Sequence, residues 1–275
     1  MPTPTPLCDR FDADRPVLGM VHLPPLPGAP GFNGDREAVR TRALEDARRL
    51  EAGGIDGIVL ENFGDAPFYP DAVPNHTVAD MTALASALQR TVDVPLGINV
   101  LRNDAGAALS IAAATEADFI RVNVHVGTAA TDQGLLEGQA HETLRLRDRL
   151  EADVAILADV HVKHATPVGE GDLEQAALET VERGMADGVI VSGPGTGAKT
   201  ALEDVERVTN VLADRASTPV FVGSGVTSET VGDCLEAGAD GVIVGTALKA
   251  GGETTNPVSR ERVEKLVAAT RDSSL

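Results

Sequence analysis

Short runs of aliphatic and β-branched residues alternate along this chain with amphipathic, alanine-rich stretches, the pattern of parallel strands joined by crossover helices. Strands are expected at 17–23, 55–62, 95–102, 119–125, 154–163, 187–193, 219–225 and 240–248, each followed by a helical segment. Four are announced by one device, a helix that ends in a short turn carrying Asp before the apolar run: EAGGIDGIVL, TEADFI, RGMADGVIV and EAGADGVIV. Eight such units predict an α/β fold, a parallel eight-stranded (β/α)8 TIM barrel, and 275 residues suits one such domain. A doubly wound sheet would carry Gly-x-Gly-x-x-Gly after its first strand, and the sequence has none there. The expectation is one barrel domain over 1–275, with 1–16 as an N-terminal lead.

Strands covered on both faces should be almost wholly apolar. Several here turn polar at alternate positions towards their C-terminal ends. Arg121, Asn123 and His125 step by two, as do Asp159, His161 and Lys163, so each set is expected on one side of its strand. His22, Glu61 with Asn62, Asn99 with Arg102, and Ser192 end other strands in the same way. A shared cluster at the C-terminal mouth, where barrel enzymes place their chemistry, accounts for all of them. Within it, Asp159 and His161 are expected as an acid/base pair, the carboxylate orienting the imidazole. Lys163 is expected to neutralise an oxyanion, or to form a Schiff base with a carbonyl substrate. His22, Glu61, Asn99, Asn123 and His125 complete the catalytic candidates. Glu61, His125, Asp159 and His161 also carry donor atoms suited to a divalent metal, although no compact ligand spacing joins them, and no other cofactor is indicated.

Two glycine loops end the chain's last strands: VGSGVTSET (222–230) and IVGTALK (243–249). Glycines there let backbone N–H groups approach an anion, so a substrate phosphate is expected at Gly223, Ser224, Gly225, Gly245 and Thr246. A side chain at Gly225 or Gly245 is expected to fill the anion's space. The loop GPGTGAK (193–199) is expected to contact the ligand through Thr196 and Lys199; it lacks the Gly-Lys-Ser/Thr order of a P-loop. Prolines stiffen the loops at 23–35 and 63–75 into walls, whereas 126–138, rich in Gly, Ala and Thr, is expected to be a mobile lid.

Charge narrows the partners. Forty-two acidic residues against 23 basic ones give a net charge of -19, with only four lysines, the composition expected of a cytosolic protein adapted to high salt. That field repels nucleic acid, and no basic cluster with interleaved aromatics exists. No apolar run is long enough to cross a bilayer, and the first residues lack a secretory pattern, so a cytoplasmic protein with no membrane partner is expected. Cys8 and Cys234 are too few for a disulfide framework.

The motifs GMVHLPPLPGAP, ENFGDAPF, GINVLRND, RVNVHVG, ADVHVKHA and VSGPGTG, together with GSGVT and GTALK, resemble the BtpA/SgcQ family over nearly the whole chain. GSGVT and GTALK alone occur widely in ribulose-phosphate-binding barrels. The resemblance implies a TIM barrel. It also brings two functional labels, a photosystem I biogenesis factor and a phosphoribosylanthranilate isomerase-like protein; where that isomerase uses a cysteine base near the end of strand one, this chain has His22. The expected function is an enzyme on a small phosphorylated sugar or nucleoside-derived metabolite, of isomerase, epimerase or lyase type. The alternatives are a non-catalytic assembly or regulatory factor whose mouth is filled or dry, and a metal-dependent hydrolase; homo-oligomerisation is left open.

Overall fold

The computed structural model describes residues 5–169, 171–193, 195–214 and 218–273. In chain order the strands are β1 (Val17–His22), β2 (Gly57–Glu61), β3 (Leu96–Asn99), β4 (Phe119–Val122), β5 (Thr128–Thr131), β6 (Gly134–Glu137), β7 (Ala155–Val160), β8 (Thr166–Pro167), β9 (Gly188–Val191), β10 (Val220–Val222) and β11 (Gly241–Val244). Eight of them form a closed parallel barrel in the order β1-β11-β10-β9-β7-β4-β3-β2. The helices are α1 (Arg36–Ala52), α2 (Asn75–Gln89), α3 (Ala105–Thr115), α4 (Ala140–Arg149), α5 (Leu173–Glu182), α6 (Leu202–Leu212), α7 (Val231–Glu236) and α8 (Arg260–Asp272). The chain is therefore an α/β protein with the expected (β/α)8 architecture.

The aspartates that announce strands have a common task. Asp56 accepts a hydrogen bond from the Val17 amide (2.9 Å), Asp118 from Leu96 (2.8 Å), Asp187 from Ile156 (2.7 Å) and Asp240 from Val220 (2.8 Å). Each carboxylate thus satisfies an amide at the start of the neighbouring strand, the first residue in β1, β3 and β10 and the second in β7.

Alternation sorts each strand's residues to two sides. One parity packs outward against the helices, in a core that includes Val21, Ile58, Ile98, Ile120 and Ile156. The other fills the barrel with Leu18, Met20, Val59, Phe119, Leu157, Ile190, Phe221 and Ile243. Gly97 on β3 is part of that fit, since a Cβ there would overlap the Phe119 ring. The N-terminal lead is not idle: Leu7 and Phe11 are buried in the same interior cluster, Phe11 meeting Phe119 and Phe221 edge-on at 5.9 and 6.4 Å between ring centroids.

Two sequence expectations fail at the mouth. Strand β4 ends at Val122 and β7 at Val160, so His125, His161 and Lys163 stand in loops, where alternation no longer governs direction. The expected lid at 126–138 is instead a built element: β5 and β6 pair antiparallel, and β8 adds to β5 as a third strand.

Candidate functional site

The inward parity ends in polar residues on six consecutive barrel strands. His22, Glu61 and Asn99 are in register across β1, β2 and β3. Arg121 and Asn123 follow from the β4 side, Asp159 from β7 and Ser192 from β9. Asn99 donates to the Arg121 carbonyl (3.0 Å) and to Asn123 Oδ1 (3.1 Å). Arg121 donates to Asp159 through Nε and Nη2, each at 3.0 Å, and Asn123 Nδ2 and Ser192 Oγ complete the Asp159 carboxylate at 3.0 Å apiece. These four bonds use the full accepting capacity of a carboxylate. The Arg121 and Asp159 side chains are 1% and 0% exposed, so this is a fully buried ion pair that fixes the barrel's upper layer.

The expected acid/base pair is therefore not formed. Asp159 bonds Arg121, Asn123 and Ser192 rather than His161, and the His161 backbone has φ 54°, which breaks the alternation and turns the imidazole towards Gly171. There it is half-buried, and burial lowers its pKa. His125 also leaves the cluster: its Nε2 bonds the Gly184 carbonyl (2.8 Å) at the end of α5, and burial again lowers its pKa. With His125 and His161 turned away, the proposed metal set dissolves, and no group of three or more His, Cys, Asp or Glu among the described residues can hold a metal ion.

Of the remaining candidates, His22, Lys163, Gly223, Ser224, Gly225, Gly245 and Thr246 line one cavity of ≈ 220 Å³ at the mouth, together with Arg121, whereas Glu61, Asn99 and Asn123 do not line it. His22 is 8% exposed, packs on Phe63 at 4.8 Å and lies 3.6 Å from Glu61 Oε1, while its Nδ1 finds no partner among the described residues. Burial, aided by Lys249 and Lys163, pushes its pKa well down, against a backbone hydrogen bond with Thr254. Lys163 reaches the same cavity from the loop after β7. Burial and then the Arg121 charge lower its pKa, and no carboxylate pairs with it among the described residues. Arg102 Nη2 donates to the Lys163 carbonyl (2.6 Å) and holds that loop in place.

The glycine loops line the opposite wall. The amides of Gly225, Val226, Thr246 and Ala247 have no acceptor among the described residues. Two glycines there serve a purpose other than the one expected. Gly225 (φ 67°) lets its loop pass the backbone of Ala198 and Lys199, which a Cβ would strike, and a Cβ on Gly245 would come within 2.8 Å of His22 Cε1. The Ser224 hydroxyl is already engaged by the fold: its Oγ accepts from the Gly193 amide at 2.6 Å. In the 193–199 loop, Thr196 and Gly197 line the cavity and Lys199 does not; Pro194 lies outside the described residues. Thr196 is tied to His164 through its amide and hydroxyl (3.0 and 3.1 Å). Sequence reasoning missed Arg262, which lines the same cavity from α8, because nothing in a helix's own pattern marks a residue that reaches a distant mouth.

The BtpA family model matches residues 13–272. A protein of Synechocystis sp. named as a photosystem I biogenesis protein BtpA is 49% identical over 96% of this chain and 90% of its own. An uncharacterised protein of Thermococcus kodakarensis is 50% identical over 94% of this chain and 96% of its own. Among solved structures, thiamine phosphate pyrophosphorylase from Pyrococcus furiosus superposes with a TM-score of 0.58 at 15% identity, covering 94% of this chain and 96% of that one. N-(5'-phosphoribosyl)anthranilate isomerase from the same organism gives 0.57 at 14%, covering 94% and 99%. At such identities the structural likeness speaks for the fold, whereas the family match spans nearly every element described above. This chain belongs to the BtpA family.

Proposed function

We propose that this protein is an enzyme acting on a small phosphorylated sugar or nucleoside-derived metabolite, by a proton transfer of the isomerase, epimerase or lyase type. The observation that carries this reading is the placement, around one cavity, of a buried imidazole with a lowered pKa and, among the described residues, a lysine without a carboxylate partner and two loops with unbonded amides. The phosphate sits against the amides of Gly225, Val226, Thr246 and Ala247, whose N–H groups have no competing acceptor among the described residues. The substrate carbonyl points to Lys163, whose ammonium stabilises an enolate oxygen; its lowered pKa also suits it to a Schiff base. His22 moves the proton at the carbon beside the carbonyl, with Glu61 oriented to stabilise the imidazolium that forms. Asp159 is held by Arg121, Asn123 and Ser192, so in this reading the acid/base role expected of Asp159 and His161 passes to His22.

Names carried by similar proteins agree with a phosphorylated ligand: the two solved barrels above are titled for a thiamine phosphate and a phosphoribosyl compound. The alternative of a non-catalytic assembly factor draws on the name of the Synechocystis relative. Its expected mark, a filled or dry mouth, contrasts with the cavity here, which His22, Arg121 and Lys163 line. The test is hydrogen–deuterium exchange by NMR, with ribose 5-phosphate and ribulose 5-phosphate as first probes in a panel of phosphorylated aldoses and ketoses. Exchange beside the carbonyl is expected with the parent protein and should fall about 10²- to 10⁴-fold in H22A and K163A, with melting temperature retained. Absence of both exchange and thermal stabilisation across the panel would overturn the proposal.

A further inference from the structure

We infer that Arg262 is the cationic arm of the phosphate site, selecting a phosphate over an uncharged group at the same position; this rests on the proposed phosphate site. Its surroundings separate it from Arg260 and Lys265, its neighbours on α8. Arg260 pairs with Glu264 at 2.7 Å and Lys265 with Glu229 at 2.6 Å, as expected where acidic residues outnumber basic ones 42 to 23. Arg262 has no carboxylate partner among the described residues. Its Nε instead donates to the Ala247 carbonyl at 2.6 Å. Ala247 belongs to the turn Thr246–Leu248, whose first amides border the cavity unbonded.

That single bond docks the guanidinium on the turn proposed to hold the anion, and its Nη2 lies next to Gly252, which lines the cavity as Arg262 does. Arginine suits the task because its planar fork offers two parallel donors to phosphate oxygens and stays charged at every working pH. The backbone amides alone supply partial charges, which favour any acceptor; a full charge adds discrimination against neutral groups. In a chain of net charge -19, a local positive arm also offsets repulsion of an incoming anion.

The test is isothermal titration of the full-length protein with inorganic phosphate and with ribose 5-phosphate, ribose serving as the uncharged comparison. Arg262→Gln should weaken both phosphate probes about 10- to 100-fold and leave ribose unchanged. Arg262→Lys, which keeps the charge and loses the fork, should recover part of that loss. Arg260→Gln, on the same helix and paired outside the cavity, should bind as the parent does. Parent-like phosphate affinity in R262Q would overturn the role of Arg262 while the amide site stands, and so would equal losses in R262Q and R262K, which mark a purely structural role for the Ala247 bond. A parent protein that binds neither phosphate probe would overturn the phosphate site itself.

Discussion

A carboxylate that accepts from Arg121 twice, from Asn123 and from Ser192 is committed to structure, and its removal has a different signature from removal of a catalytic acid. Asp159→Ala leaves the Arg121 guanidinium buried without its counter-charge, a change expected to cost about 3–5 kcal/mol. His161→Ala removes a half-buried ring with no hydrogen bond among the described residues and should cost under about 1 kcal/mol. Urea melts of both variants check this; similar losses in the two would refute the division of roles. The difference was hidden in the sequence, where Asp159, His161 and Lys163 look equivalent at spacing two. The spacing is real only while the strand lasts. Strand β7 stops at Val160, and the left-handed backbone of His161 sends its ring elsewhere. By contrast, His22, Glu61, Asn99 and Asn123 lie on or beside their strand ends, where alternation still sets their direction.

Elements are tied together by a second buried charge pair, which the sequence did not single out. Lys249, just past β11, is fully buried, donates to the Met20 carbonyl of β1 (3.0 Å) and lies 3.5 Å from Asp46 of α1. Asp46 in turn accepts from Arg42 Nε (2.9 Å) and from the Val258 amide before α8 (2.8 Å). One knot therefore joins the first and last βα units, a link that periodicity cannot reveal because its members lie more than 200 residues apart. Burial lowers the Lys249 pKa from 10.5 to about 8, against the opposing pull of Asp46. Below about pH 8 both folded and unfolded chains hold the proton, and the lysine's unfavourable contribution is complete. Between about 8 and 10.5 the unfolded chain holds more of it, so this group's contribution to stability rises with pH. The stability of the parent relative to Lys249→Met should accordingly increase across that window in parallel urea titrations. A flat difference would show that the lysine titrates normally, and a falling one that the fold raises its pKa; either would refute the lowered value. Elsewhere the barrel was readable because eight apolar runs and their announcing aspartates repeat one local solution; the β5–β6 hairpin was not, because a Gly- and Thr-rich segment carries too weak an alternation to separate a strand from a loop.

At the scale of the whole molecule, a net charge of -19 sets how the fold responds to its medium. Carboxylate repulsion is greatest in the compact state, and at about 1 M salt the screening length shrinks to about 3 Å. Melting temperature is therefore expected to rise from low salt to molar KCl in a calorimetric scan, and a flat or falling curve would remove salt adaptation as the reason for the acidic composition. The closure of the barrel bears on synthesis as well. Strand β1 pairs with β11, Val17 opposite Val242, and the floor beneath it is sealed by Leu7 and Phe11 against Phe221. During synthesis β1 must wait for β11, with one edge bare and its aromatic plug unseated, until every barrel strand between them has been made. The same long-range closure that protects the finished barrel from edge-to-edge aggregation leaves the nascent chain exposed to it for longest.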